Sequence, residues 1–205
     1  MKPRIRFRTP TVILAGLLIL LDRSLLALMP FAAALCHEAG HLIVMRLFHV
    51  PIREIEITLF GAEIRTQPHT LSTLAAVAVY SAGAGANLLC AILVSLMPDA
   101  GQATQFFAAS SFALAILNLL PIGSLDGGCI LTALLHRLAP AGGRTIFAAI
   151  QAVALFFIWL ASVSLLLICG GNLSLYLFCV YMFWELYLRG RTVTAPEYCS
   201  YRTRV

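Results

Sequence analysis

Apolar residues fall in six blocks along this chain, at 11–21, 24–48, 71–97, 106–120, 146–169 and 173–188, with short polar segments between them. A helix crossing a bilayer needs about 20 predominantly apolar residues, so the first block is short and must borrow from residues 5–10 or from residue 24 onward. The pattern therefore predicts an all-α polytopic membrane protein with about six transmembrane helices. One stretch follows a different period. Ile55, Ile57 and Leu59 alternate with Glu54, Glu56 and Thr58, and Gly61 supplies a turn before Ala62 to Arg65. That alternation predicts a small β-hairpin over residues 51–66, between the second and third spans. It is either a plain connector or an exposed edge, around Ile55 and Ile57, on which an extended peptide could pair.

Composition sets the solvent for everything else. Hydrophobic residues make up 60% of the 205 and charged residues 11%, and mean hydropathy is +0.92. A water-soluble domain does not carry so few charges over so much apolar surface. Lys and Arg concentrate in cytoplasmic loops of membrane proteins. With six crossings and the N-terminus inside, Lys2, Arg4, Arg6, Arg8, Arg46, Arg53, Arg65, Arg137, Arg144, Arg189, Arg191, Arg202 and Arg204 all fall on the inner side, and Arg23 alone falls outside. Both termini are accordingly expected in the cytoplasm. The basic start followed by an apolar block also resembles a secretory signal, but the chain runs straight into another span, so an anchor helix is expected. The expected organisation is a single membrane domain: a basic N-terminus over residues 1–9, a core over 10–188 and a tail over 189–205, with no room for a second soluble domain. The net charge of +5 is spread over short flanking segments without an aromatic platform, which argues against a nucleic-acid partner. The six cysteines are scattered, and no disulfide framework is expected.

The second block contains His37-Glu38-Ala39-Gly40-His41. Residues four apart share a helix face, so both imidazoles can meet one metal ion while Glu38 reaches a water beside it. Two histidines and a glutamate inside an apolar helix are also expensive to bury without partners. A metal supplies one; a polar cluster bonded to neighbouring helices is the plainer alternative. Hydrolytic zinc sites usually have three protein ligands and an open fourth position. Asp126 is the best placed third ligand, because Pro121 breaks a membrane helix and Gly127 and Gly128 free the backbone beyond it. Broken helices at membrane depth are tolerated where they line a cavity. A helix-capping role at the start of the next helix is the competing reading of Asp126.

His37-Glu38-x-x-His41 on one helix and Asn118-Leu-Leu-Pro121-x-x-x-Leu125-Asp126-Gly127-Gly128 on a later one resemble the paired signatures of the site-2 family of intramembrane metalloproteases. Gly83-Ala84-Gly85-Ala86-Asn87 is similar to that family's small-residue third span, with Gly-Ala where Gly-Pro is common. The branch that the chain resembles most is that of stage IV sporulation protein FB, with six spans, a hairpin echoed in Thr58-Leu59-Phe60-Gly61, and no PDZ domain. Members of that branch usually continue into a CBS domain, and none is expected here. The resemblance implies one zinc ion per chain, a bacterial-type cell membrane, a site opening to the cytoplasm, and a membrane-anchored protein substrate such as a pro-sigma factor or a membrane-bound regulator. It also implies inhibitory membrane proteins as a class of partner.

On this reading neutral His37 and His41 with ionised Asp126 hold the ion, and Glu38 is the general base. Asn118 and Asn87 are either donors to the substrate backbone or interhelical glue. His41 precedes Phe48 by seven residues, which at ~1.5 Å per residue places the ion about 10 Å below the cytoplasmic boundary. Gly40, Gly83 and Gly85 are expected to let helices approach closely. A metal-handling transporter is the rival function, but such proteins usually show inverted repeats with paired broken helices, and one break and no repeat is found.

Overall fold

The structure is a computed structural model, and it describes residues 4–7, 26–58, 61–66, 70–123, 125–169 and 202–203. The blocks at 11–21 and 173–188, and most of the two terminal segments, lie outside the described residues. The fold is mostly helical: α1 Met29–Leu47, α2 Thr73–Ser95, α3 Gln102–Asn118, α4 Asp126–Leu138 and α5 Gly143–Cys169. The chain divides into two compact units, one of Met1–Leu119 with Ser200–Val205 and one of Leu120–Cys199.

In the first unit α1, α2 and α3 pack against one another. The contact faces carry small or polar residues: Ala33, Ala76, Ala84, Ala115, Asn87 and Ser111 are buried, as are Gly40 and Gly83. Leu35, Ile43, Leu89, Ile92 and Phe112 are each more than half exposed. In water this arrangement would be inside out. In lipid it is expected, because helices there associate through close packing of small residues while large apolar side chains meet the acyl chains. Gly40 shows how close the packing is, since a Cβ on it would stand 2.5 Å from the Ala82 carbonyl oxygen and 2.8 Å from Ala86 Cβ.

Local sequence sets the helix ends. Pro30 falls in the first turn of α1, where its missing N–H is no loss. At the other end His49 adopts a left-handed φ of 54°, and the chain closes with His49 N–H on Arg46 O at 3.2 Å and Val50 N–H on Met45 O at 2.9 Å. That is a Schellman stop, sealed by the buried Met45 and Val50, and formed without the usual glycine. Ser72 caps α2 by accepting from Ala75 N–H at 3.2 Å.

Strand β1, Arg4–Phe7, joins β2, Ile52–Thr58, and β3, Gly61–Thr66, in a sheet of order β1-β2-β3. β2 and β3 pair antiparallel, with Ile55 opposite Ile64 and Ile57 opposite Ala62. β1 runs parallel to β2, with Ile5 opposite Ile55 and Phe7 opposite Ile57. β2 is thus the central strand. This corrects the expectation of an open edge at Ile55 and Ile57: the edge left by β3 is taken by the N-terminal segment, whose basic residues had read only as an orientation signal. Short strands β4, Thr70–Leu71, and β5, Arg202–Thr203, pair in parallel.

The second unit begins where α3 stops. Pro121 cannot donate to the carbonyl four residues back and disfavours helical φ/ψ at Leu120, so the helix ends at Asn118. A short loop follows, then α4 and α5, which pack together. On α5, Val153, Phe156 and Phe157 are more than half exposed while Leu155 and Ser162 are buried, the same polarity of packing as in the first unit. Cys129 on α4 is disulfide-bonded, contrary to the expectation of no disulfide, whereas Cys36 and Cys90 are free.

Among the described residues two helices are long and apolar enough to cross a bilayer, α2 and the Gly143–Ser164 part of α5. The count of six rested on apolar blocks, and two of those become shorter or more polar helices. α1 has 19 residues including His37, Glu38, His41 and Arg46, and α3 has 17.

Candidate metal centre

α1 delivers two of the sequence-predicted residues to one point. His37 and His41, a helical turn apart, are both buried, and their Nε2 atoms stand 3.1 Å from each other with the rings edge to face. Each ring is held from behind by α2. His41 Nδ1 donates to the Val79 carbonyl at 2.8 Å; a carbonyl can only accept, so that nitrogen carries the ring proton and Nε2 presents a lone pair. His37 Nδ1 faces the amide of Asn87 at 3.4 Å. Asn87 is fully buried, and its Oδ1 makes no hydrogen bond among the described residues. Turning that amide, whose O and N share one outline, lets Oδ1 accept from a protonated His37 Nδ1, so that His37 Nε2 also presents its lone pair.

Two lone pairs 3.1 Å apart repel unless a proton or a cation lies between them. Ligands at zinc–nitrogen distances of about 2.0–2.1 Å in a tetrahedron are roughly 3.3–3.4 Å apart, close to the observed separation. The approach of α2 to the two rings is also close. Gly83 on α2 lies opposite, and a Cβ there would stand 2.7 Å from His37 Nε2 and crowd His41 Nε2 more closely still. The donor chemistry, the hydrogen bond behind each imidazole and the lack of a side chain at Gly83, where the two Nε2 atoms converge, all fit a zinc ion.

Glu38 is half-buried beside His37. Asp126 is the first residue of α4, and Leu125 takes the N-cap position. Its carboxylate therefore lies in the positive first turn of the helix. Gly128 shapes this start, because a Cβ there would collide with the Ile122 carbonyl. Asn118 turns its Nδ2 back onto its own helix, donating to the Leu114 carbonyl at 3.0 Å. Asn87 stands behind His37, with its amide at the ring's Nδ1. Sequence reasoning missed the Val79 carbonyl, for which no side chain gives a signal. It took Gly83 for a packing glycine only, since spacing along one helix does not show which neighbour it faces.

Residues 97–161 match Peptidase family M50. A protein of Synechocystis sp. that carries the name of a zinc metalloprotease is 29% identical over 142 residues, covering 66% of this chain and 37% of the relative, so the chain spans well under half of that protein. Among solved structures, the site-2 protease from Methanocaldococcus jannaschii superposes with a TM-score of 0.61 at 19% identity, over 93% of this chain and 92% of that one. The fold is that of a site-2 protease.

Proposed function

We propose that this chain is an intramembrane zinc metalloprotease, in which His37, His41 and Asp126 hold one zinc ion and Glu38 manages the proton. The observation that carries the reading is the pair of buried imidazoles with converging Nε2 atoms, each backed at Nδ1 by a partner on α2. Zinc bound there supplies Lewis acidity, lowering the pKa of water and polarising a carbonyl. The side chains do the rest. Glu38 accepts the proton of the attacking water and delivers it to the leaving amine, which needs a carboxylate within one water of the scissile bond. The Val79 carbonyl and Asn87 hold the two rings so that their tautomers do not change during turnover.

Further elements rest on the apolar blocks and the motif resemblance: six crossings with both termini cytoplasmic, a site opening to that side, and a membrane-anchored regulatory protein or pro-sigma factor as substrate. A helical peptide bond is shielded, so the substrate must unwind into an extended segment. Such a segment reaches Ile55 and Ile57 only by displacing β1, which pairs with them through Ile5 and Phe7.

The test is Glu38→Gln in purified chain reconstituted with a membrane-anchored substrate. Loss of cleavage with zinc retained is expected. Normal turnover in that variant would remove Glu38 from the chemistry, and metal transport into vesicles by the wild-type chain would replace the reading with that of a transporter.

A further inference from the structure

Gln151 lies on α5, the most apolar of the described helices, and is nevertheless 7% exposed. A primary amide inside such a helix is destabilising unless its polar atoms are bonded. Its Oε1 accepts from the backbone N–H of Gly123 at 3.0 Å. Gly123 belongs to the loop opened by Pro121. Around it the loop closes on itself, with Ile122 N–H on Leu120 O at 2.8 Å and Leu125 N–H on Ile122 O at 2.8 Å. The Gly123 donor is the one that Gln151 takes up. The same face of α5, one and two turns further on, grips the loop by packing: Leu155 meets buried Ile122, with Ile158 and Leu125 against them. A methyl at position 123 would stand 3.3 Å from Gln151 Oε1, a contact to which the glutamine must give way by a few tenths of an ångström. Three residues beyond Gly123 the chain reaches Asp126.

We infer that Gln151 is a positioning residue for the metal site: its hydrogen bond to Gly123 fixes the loop from which Asp126 departs, and so fixes the carboxylate toward the ion. This rests on Asp126 being a zinc ligand. A loop freed by a proline has lost its helical hydrogen bonds and would sample several backbone states. One buried acceptor on a rigid helix removes that freedom, as a group holding a metal ligand from behind is expected to do.

The experiment measures zinc affinity by chelator competition on the purified full chain, without reference to proteolysis. Gln151→Met keeps the size and removes the acceptor; Gln151→Glu keeps an acceptor oxygen. Loss of a group that orients a ligand lowers metal affinity by roughly 10- to 100-fold, and Gln151→Met is expected near the lower end, with Gln151→Glu recovering most of it. The decisive arm repeats Gln151→Met in an Asp126→Ala background. If Gln151 acts through Asp126, it causes no further loss there. An equal loss in both backgrounds means a merely structural role and overturns the inference, as does wild-type affinity in Gln151→Met. Should Asp126→Ala itself leave affinity unchanged, the ligand assignment fails instead, which is a distinct result. If Gln151→Met does not fold, Gln151→Asn, which draws the acceptor back by one methylene, is put through the same cycle with the same criteria.

Discussion

The helix pair that carries His37 and His41 and the broken segment that leads into Asp126 both fix polar groups in apolar surroundings, and they do so by different means. In the first, helical periodicity aims both rings, α2 backs each of them, and glycines at 40 and 83 let the helices close on one another. In the second the segment that leads into α4 is irregular. Pro121 ends a helix, and the loop is held by its own backbone hydrogen bonds, one side-chain hydrogen bond and a small apolar contact. Geometry in the first part follows from its own helix, whereas in the second it is borrowed from a residue far along the chain.

The largest effect expected is at Gly83. Gly83→Leu places a side chain where the two Nε2 atoms converge, and zinc affinity should fall by more than the roughly 100-fold that loss of a supporting group produces. Chelator competition and circular dichroism together check this; full zinc occupancy with native helicity would show that the histidines do not meet an ion at that point. Next, Asn87→Leu removes the partner of His37 while preserving volume, and about a 10-fold loss of affinity is expected. An effect as large as that of His37→Ala would mean that Asn87 is itself a ligand.

The broken segment should respond at Gly128. Gly128→Ala drives a methyl into the Ile122 carbonyl, and overpacking of that kind costs about 1–3 kcal/mol, read as a lower thermal midpoint of the purified chain. An unchanged midpoint would mean that the loop moves aside without cost. A smaller effect is expected at the sheet. Replacing residues 4–7 with Gly-Ser repeats leaves β2 open to a substrate strand, and apparent substrate affinity should rise by up to about fivefold, the factor that ~1 kcal/mol of lost competition provides; weaker binding would make β1 part of the substrate platform. Smallest of all, His49→Gly should stabilise the chain by ~1 kcal/mol or less by relieving the left-handed residue that ends α1, seen in denaturant unfolding.

The same division explains what was legible in the sequence. His37, Glu38 and His41 could be read because their relation is set by spacing on one helix. Asp126 stood out because a proline and two glycines surround it. The Val79 carbonyl and the space at Gly83 depend on the register between two helices, which no local pattern encodes. Gln151 lies inside an apolar block with no motif to mark it, and only the fold shows that the Gly123 N–H lies in front of it. Four basic-flanked residues at the N-terminus gave no sign of pairing with β2, because strand pairing joins positions that are far apart in the chain. The small-inside, large-outside polarity of the helices was implied by composition, yet which residues face inward was not.

Zinc K-edge X-ray absorption on the purified full chain reads the donor set directly. Two imidazole nitrogens at about 2.0–2.1 Å and a carboxylate oxygen at about 2.0–2.2 Å are expected, with one imidazole lost in His41→Ala and the carboxylate lost in Asp126→Ala. A sulfur shell at about 2.3 Å, which Cys36 next to His37 could supply, or an ion that persists when both histidines are replaced, would contradict it.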